Sequence, residues 1–284
     1  MPRTRRLLGC VLTAISHLLL FCKSAILSGR LSRPEFHLKV IYMAIKRRGF
    51  VSAIIVAAGE SNRIGVDKMM LELAGLPVLL HTLRAFEMSP VISEIVVVTR
   101  SEKLEQVAEL CGAGGIAKLT TVMAGGETRT ESVQNGLYAI SRRATMVAIH
   151  DGARPLVSQQ IIHDTVKRAE KYNAAAPGVS VKSTIKRVKN SVVIETPERA
   201  ELYEIQTPQV FDVDLIKGAI AAAEKSGRKY TDDSAAVEAI GATVHITKGA
   251  YENMKLTTPE DLLLAETLLL AAMTMENGIP RISL

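Results

Sequence analysis

The 284-residue chain has no tryptophan, and aromatic residues make up only 4% of it. That scarcity argues against a base-stacking platform for single-stranded nucleic acid. Its three cysteines, Cys10, Cys22 and Cys111, are far apart and show no metal-ligand spacing. They read as free thiols in a reducing compartment, which places the protein in the cytoplasm. No G-x-x-x-x-G-K-[ST] or G-x-G-x-x-G loop occurs, nor an H-E-x-x-H pair or a nucleophile elbow, so acyl transfer and metal-dependent hydrolysis are poor readings. The histidines His81, His150, His163 and His245 are isolated along the chain. At most His150 orients its neighbour Asp151. Internal repeats and long linkers are also missing.

The formal charge of +6 invites a nucleic-acid reading until it is located. Residues 1–49 hold ten Lys or Arg against the single acid Glu35, leaving 25 basic and 28 acidic residues in 50–284. The excess therefore belongs to a basic and apolar extension, and the body is mildly acidic. Within the extension, Leu7 to Cys22 is an apolar run too short for a membrane span. Met43 reads as the start of the functional chain, with the upstream residues a start-assignment artefact or a dispensable tail. A membrane-surface anchor and an export signal are the alternatives.

From residue 50, β-branched runs alternate with helical patterns. "VSAIIVAA", "EIVVVT", "KLTTVMAG" and "TMVAIHDG" read as strands, with helices in "PVLLHTLRAF", "EKLEQVAELC", "TESVQNGLYAISR" and "SQQIIHDTVKRAEKY". Strands apolar on both faces and spaced by helices predict an open, doubly wound α/β sheet, mostly parallel. After Ala176 the rhythm changes to period two in "STIKRVKNSVVIETPER", with a turn at Lys189-Asn190, which predicts an inserted β-hairpin. Such an arm either packs on a second subunit or folds onto its own domain. Helices resume in "DVDLIKGAIAAAEKSG" and "DDSAAVEAIG", and Thr258-Pro259 predicts the capped start of a last helix. The partition is an extension over 1–49, a domain over 50–275 with its arm at about 180–206, and a tail over 276–284.

Ligands of open parallel sheets bind outside the carboxyl ends of the strands. Four stretches converge there. In "AAGESNRIGVDK", Ala57, Ala58 and Gly59 allow close backbone approach, while Arg63 and Lys68 add two cations. Taken alone, this loop is as readily a connector with solvated charges as a phosphate site. "AGGETRTESVQNGL" is either turn chemistry, with Thr130 as the next helix cap, or a contact for a base or ribose. In "HDGARP", Asp151 could bind a metal beside phosphates, accept hydrogen bonds from substrate hydroxyls, or cap a turn. Lys255, in "YENMKLTTPEDL", reads by itself as a solvated charge.

Taken in order, "AAGESNRIGVDK", "AGGETRTESV", "HDGARP", "STIKR", "IETPER", "QTPQVF", "TDDSA" and "ENMKLTTPEDL" resemble the cytidylyltransferases that act on 2-C-methyl-D-erythritol 4-phosphate in isoprenoid precursor synthesis. The resemblance covers about residues 50–272. Ribitol 5-phosphate cytidylyltransferases share the early motifs and supply the alternative substrate; a non-catalytic CTP-binding module is the alternative of another class.

The resemblance implies a Rossmann-like, nucleotidyltransferase-like fold and transfer of a cytidylyl group from CTP with release of pyrophosphate, assisted by Mg²⁺ or another divalent cation. It implies that Ala57, Ala58 and Gly59 follow CTP with their backbone. Gly126, Glu127, Arg129 and Ser132, with Gly152, would hold cytosine and ribose. Arg63 and Lys68 would act at the α-phosphate. Asp151, Arg154 and Thr207 would bind methylerythritol phosphate, positioned by Lys255 and Arg199. Thr184 and Arg199 would reach into a partner's site, implying a homodimer joined through the arm, with neither nucleic acid nor membrane among its partners. The chain departs from the family pattern at Ser61, where a second glycine is common, in its short Arg63–Lys68 interval, and at Ser183, where Asp is common.

Overall fold

A computed structural model describes residues 49–59, 67–228 and 230–276, the last four of these by backbone alone. The extension's predicted features, Cys10 and Cys22, Ser61, Arg63 and the 276–284 tail beyond its first residue lie outside the described residues.

The chain from residue 50 builds an eight-stranded sheet. Its first strands are β1 (Phe50–Val56), β4 (Glu94–Thr99), β5 (Leu119–Ala124) and β6 (Ala144–Asp151), all parallel, in the spatial order β6-β1-β4-β5. Between β1 and β4 lies a two-residue ribbon, β2 (Glu72–Leu73) and β3 (Leu76–Pro77). β7 (Ala174–Ser180), β10 (Tyr203–Ile205), β11 (Gln209–Asp212) and β12 (His245–Lys248) extend the other edge. There β11 runs antiparallel to both β6 and β7, β10 runs antiparallel to β7, and β12 pairs parallel with β7. The predicted mostly parallel, doubly wound sheet is therefore present.

Strand residues alternate between two cores because successive side chains point to opposite faces. On one face, Val51, Ala53 and Ile55 meet α1 (Val78–Glu87), α2 (Leu104–Ala113) and α4 (Gln159–Tyr172). On the other, Ile54 and Val56 meet α3 (Arg129–Ala139), α5 (Val213–Ser226) and α6 (Asp233–Ala239). Burying one such isoleucine contributes about 1.5–3 kcal/mol. The last helix, α7 (Pro259–Glu276), is apolar around its circumference and docks through Ala265 on Leu73, Val78 and Leu256. Its first turn is closed by Asp261, whose carboxylate accepts from the backbone of Thr257 and Thr258 at 2.7 and 2.9 Å.

Two local expectations shift. The cap of α3 is Thr128, in a reciprocal capping box with Glu131, rather than Thr130, because Glu131 stands three residues after Thr128 as that box requires. The arm's ribbon is β8 (Arg187–Lys189) and β9 (Val192–Glu195), and its turn residues are Asn190 and Ser191, both at positive φ, one position beyond the predicted pair. The free thiol expected at Cys111 is buried, and burial pushes its pKa up to about 11.

Register sets the site. Val56 is level with Val98 on one side and with Asp151 on the other, and Thr99 is level with Ala124. Four loops therefore leave the sheet side by side, around the point where chain order reverses between β1 and β6. The helix that covers this end depends on Gly136, whose Cβ would stand 2.6 Å from Ile54 Cγ2 and 3.2 Å from Val98 Cγ2. Gly136→Val should lower unfolding free energy by about 1–3 kcal/mol through overpacking, measured by urea titration.

Candidate active site

A cleft of about 550 Å³ opens at these strand ends, within the range of ligand sites. Its walls come from four sources: Ala58 and Gly59 after β1, the segment 99–102 after β4, the segment 125–129 after β5, and Asp151 at the end of β6. Lys68 and Lys255 close it from flanking loops.

The glycine-rich wall is held by its own hydrogen bonds. Gly125 N–H donates to Thr99 O at 2.7 Å, Gly126 N–H to Ser132 Oγ at 3.2 Å, and Glu127 N–H to Glu131 Oε2 at 2.8 Å. Gly125 must lack a side chain because a Cβ there would lie 2.6 Å from both Ala58 Cβ and Ser132 Oγ. That close approach brings the loop after β1 and the loop after β5 together. Beside Gly59, by contrast, a Cβ would meet no atom of the described residues within 4 Å, and Gly59 lines the cleft.

Asp151 is the electrostatic centre. Its Oδ2 lies 2.8 Å from Lys255 Nζ and 3.8 Å from Arg154 Nε, and its Oδ1 lies 3.4 Å from Arg129 Nε. Burial would raise the pKa of this carboxyl, but Lys255 first, and then Arg129 and Arg154, hold it well below the usual carboxylate range. Arg129 is itself gripped from behind: its two terminal nitrogens donate to Asp233 Oδ1 and Oδ2 at 2.9 and 2.8 Å. Burial disfavours its charge, yet the fork-to-fork pairing with Asp233 more than reverses that and raises its pKa.

Behind Asp151 the hydrogen bonds fix the His150 tautomer. His150 Nε2 sits 3.3 Å from the Arg154 carbonyl, which can only accept, so Nε2 carries the hydrogen. His150 Nδ1 then accepts from the Thr207 hydroxyl at 3.0 Å, and that oxygen accepts the Asp151 N–H at 3.1 Å. The imidazole is fully buried, and burial lowers its pKa to about 3 in spite of neighbouring Asp151.

Of the residues expected from the sequence, Ala58, Gly59, Lys68, Gly126, Glu127, Arg129, Ser132, Asp151 and Lys255 line this one cleft. Ala57 and Gly152 lie just beneath it, joined to the sheet by Ala57 N–H to Val98 O at 2.7 Å and Gly152 N–H to Val56 O at 2.9 Å. Arg154 and Thr207 stand behind Asp151; Arg154 Nη1 donates to Asn253 O at 2.7 Å. Thr184 and Arg199 are exposed on the arm and line no part of their own chain's cleft, and Arg199 donates to Lys182 O at 3.1 Å. Sequence reasoning did not single out Thr99, Arg100, Ser101 and Glu102, although the strand-end rule points to any segment following a buried parallel strand. It also assigned no role to Asp233.

A fixed anion ringed by cations, beside a recess of glycine backbone, suits a polyphosphate ligand carrying a small polar head. The comparisons agree. The family model described as 2-C-methyl-D-erythritol 4-phosphate cytidylyltransferase matches residues 51–271. A relative of that description from Halalkalibacterium halodurans is 45% identical, over 77% of this chain and 96% of its own. Another from Caldanaerobacter subterraneus subsp. tengcongensis is 44% identical, over 77% and 98%. Among solved structures, the 4-diphosphocytidyl-2C-methyl-D-erythritol synthase of Anaerococcus prevotii is 32% identical with a TM-score of 0.72, covering 78% of this chain and 97% of that one.

The neutral His150 has a pH signature. Between about 3 and the ordinary value of 6.5, an unfolded chain binds a proton at this histidine that the folded chain refuses. Stability therefore falls as pH drops through that window, by up to about 1.4 kcal/mol per pH unit. Asp151 works lower: its stabilisation is present above 3.8 and is lost as pH falls below it. Urea unfolding of His150→Gln across pH 4–7 should show a slope shallower than wild type by up to one proton.

Proposed function

The chain belongs to the 2-C-methyl-D-erythritol 4-phosphate cytidylyltransferase family, and on that premise we propose how its cleft performs the family's reaction. The protein transfers the cytidylyl group of CTP to 2-C-methyl-D-erythritol 4-phosphate, a step in isoprenoid precursor synthesis. A phosphate oxygen of the alditol attacks the α-phosphorus of CTP, the bond from that phosphorus to the β-phosphate oxygen breaks, and pyrophosphate leaves. The observation that carries this reading is the convergence of Lys255 and Arg129 on Asp151, beside the backbone recess of Gly125 and Gly126.

The nucleophile is already an anion at neutral pH, so the step requires no general base. What it requires is suppression of repulsion between two phosphates, and preorganised cations do that at little reorganisation cost. Lys68, which lines the cleft, supplies charge at the α-phosphate, together with Arg63. Ala58 and Gly59 follow the triphosphate with their backbone. Gly126, Glu127 and Ser132 face cytosine and ribose. Asp151 accepts hydrogen bonds from the alditol hydroxyls. Arg154 and Thr207 act beside Asp151 on methylerythritol phosphate: Thr207 Oγ accepts the Asp151 N–H, and Arg154 Nε lies 3.8 Å from the Asp151 carboxylate. Lys255 neutralises Asp151 and stands ready to meet the incoming phosphate.

Magnesium lowers the charge of a bound triphosphate. Among the described residues, no group of three or more His, Cys, Asp or Glu is placed to hold a metal ion, and Asp151 already pairs with Lys255 and Arg129. These described side chains do not make a metal cage; a divalent ion would be held by the phosphates of CTP.

The arm supports a homodimer. Every residue of β8 and β9 is exposed, and Val188, Val192, Val193 and Ile194 present apolar surface on a ribbon that two strands alone sustain poorly. A second copy covering these residues would carry Thr184 and Arg199 towards its own cleft. Among the described residues no helix is long and apolar enough to cross a membrane, and dependence on CTP supports the cytoplasm.

Pyrophosphate release from CTP and Mg²⁺ should be fast with methylerythritol phosphate and slow with ribitol 5-phosphate; release with ribitol phosphate alone would reject the substrate. In the same assay Arg199→Ala should lose most turnover with little change in CTP affinity, whereas equal losses in both would remove it from the second substrate. Val193→Asp should shift the protein to monomer in analytical ultracentrifugation and lower turnover with it.

A further inference from the structure

Lys68 is preceded by Asp67, and its use in catalysis depends on where the chain releases it. The residue before it is fixed with unusual care for a loop. Asp67 Oδ2 accepts from Arg100 Nη2 at 3.0 Å and lies 3.4 Å from Lys103 Nζ, while Asp67 Oδ1 accepts the Met69 N–H at 3.2 Å. Arg100 and Lys103 belong to the segment after β4, so the carboxylate ties the Lys68 turn to the central sheet. From the other side, Lys68 Nζ donates to Leu256 O at 3.4 Å, next to Lys255. Leu256 N–H in turn donates to Ala153 O at 2.9 Å, two residues past Asp151.

We propose that Asp67, clamped by Arg100 and Lys103, is a positioning residue that sets the reach of Lys68 into the cleft. The inference rests on the reading of Lys68 as the cation at the α-phosphate. Its reasoning is geometric and electrostatic together. Three cations, Lys68, Arg100 and Lys103, come from neighbouring turns, and like charges so placed would drive the turns apart without an anion between them. Asp67 is the anion that joins the turns, while Glu102, within the β4 segment, pairs with Arg100 Nε at 3.4 Å. Asp67 is partly exposed, as are both of its partners, so the cluster adds little to stability. Its effect is to select one direction for the turn that bears Lys68, and misplacement of a catalytic group by about an ångström can cost on the order of 10²-fold in rate.

The test is a double-mutant cycle on the turnover of CTP with methylerythritol phosphate. Asp67→Asn should lower kcat about tenfold, leave the KM for CTP within about twofold, and leave the melting temperature unchanged, with Asp67→Glu recovering part of the loss. In the Lys68→Ala background, Asp67→Asn should have no further effect, because there is no ammonium left to aim. A tenfold loss that persists in that background, or full activity of Asp67→Asn alone, overturns the positioning role. Full activity of Lys68→Ala would overturn the reading of Lys68 itself, and the proposal with it.

Discussion

The organisation of this protein turns on one carboxylate that is taken out of water and kept charged. Asp151 ends the central strand β6, nine-tenths of its side chain is covered, and such a group ionises only if cations replace its lost hydration. Those cations are supplied from places far apart in sequence: Arg129 from α3, Arg154 from the following turn, and Lys255 from the approach to α7. Each must be held against its own tendency to return to solvent. Asp233 does this for Arg129, the Asn253 carbonyl for Arg154, and the docking of α7 through Ala265 for the segment that bears Lys255. Folding and site assembly are thus one process.

The same arrangement explains how an anion helps a reaction between two anions. Left alone, clustered Arg and Lys side chains would repel one another and adopt several rotamers. Asp151 gives them a common focus, so the geometry exists before substrate arrives and little rearrangement remains for the transition state. Phosphate groups entering the cleft then meet ammonium and guanidinium groups already partly dehydrated, where attraction is stronger than in bulk water. His150 contributes by remaining neutral. An imidazolium beneath Asp151 would compete for its charge, and burial against Phe86, with rings 4.8 Å apart, keeps the proton away.

Much of the fold was legible because its signals are local and repeated. Buried parallel strands such as "EIVVVT" are apolar on both faces, and α4 opens with Ser158 and closes at Asn173 in the left-handed region, both within a few residues of where the pattern places them. The glycine-rich wall was legible for the same reason, since spacing alone places it between a strand and a capped helix. Other features were not. Asp233 meets Arg129 across 104 positions, and no local pattern in "TDDSA" points to that partner. Arg100 sits in a segment with the composition of any charged turn, and only the register of β4 against β1 brings it to the cleft. Thr130 is the cap that the sequence suggests, and the reciprocal bonds of Glu131 put Thr128 there instead.

The arm shows where a single chain stops being a complete explanation. A buried core justifies each apolar residue by what it touches, yet Val188, Val192, Val193 and Ile194 lie exposed on β8 and β9. Solvent gives no reason for such residues on a two-stranded ribbon, because each exposed valine forgoes the gain that burial would bring. Their presence makes sense if the folded unit extends past one copy. Arg199 points the same way: among the described residues its hydrogen-bond partner is the Lys182 carbonyl, while the cleft it is expected to serve stands at the strand ends of the sheet. The proposed homodimer would meet both needs with one contact, covering the apolar ribbon and delivering the arginine. The interface would then be part of the active site, so affinity between subunits and turnover would rise and fall together.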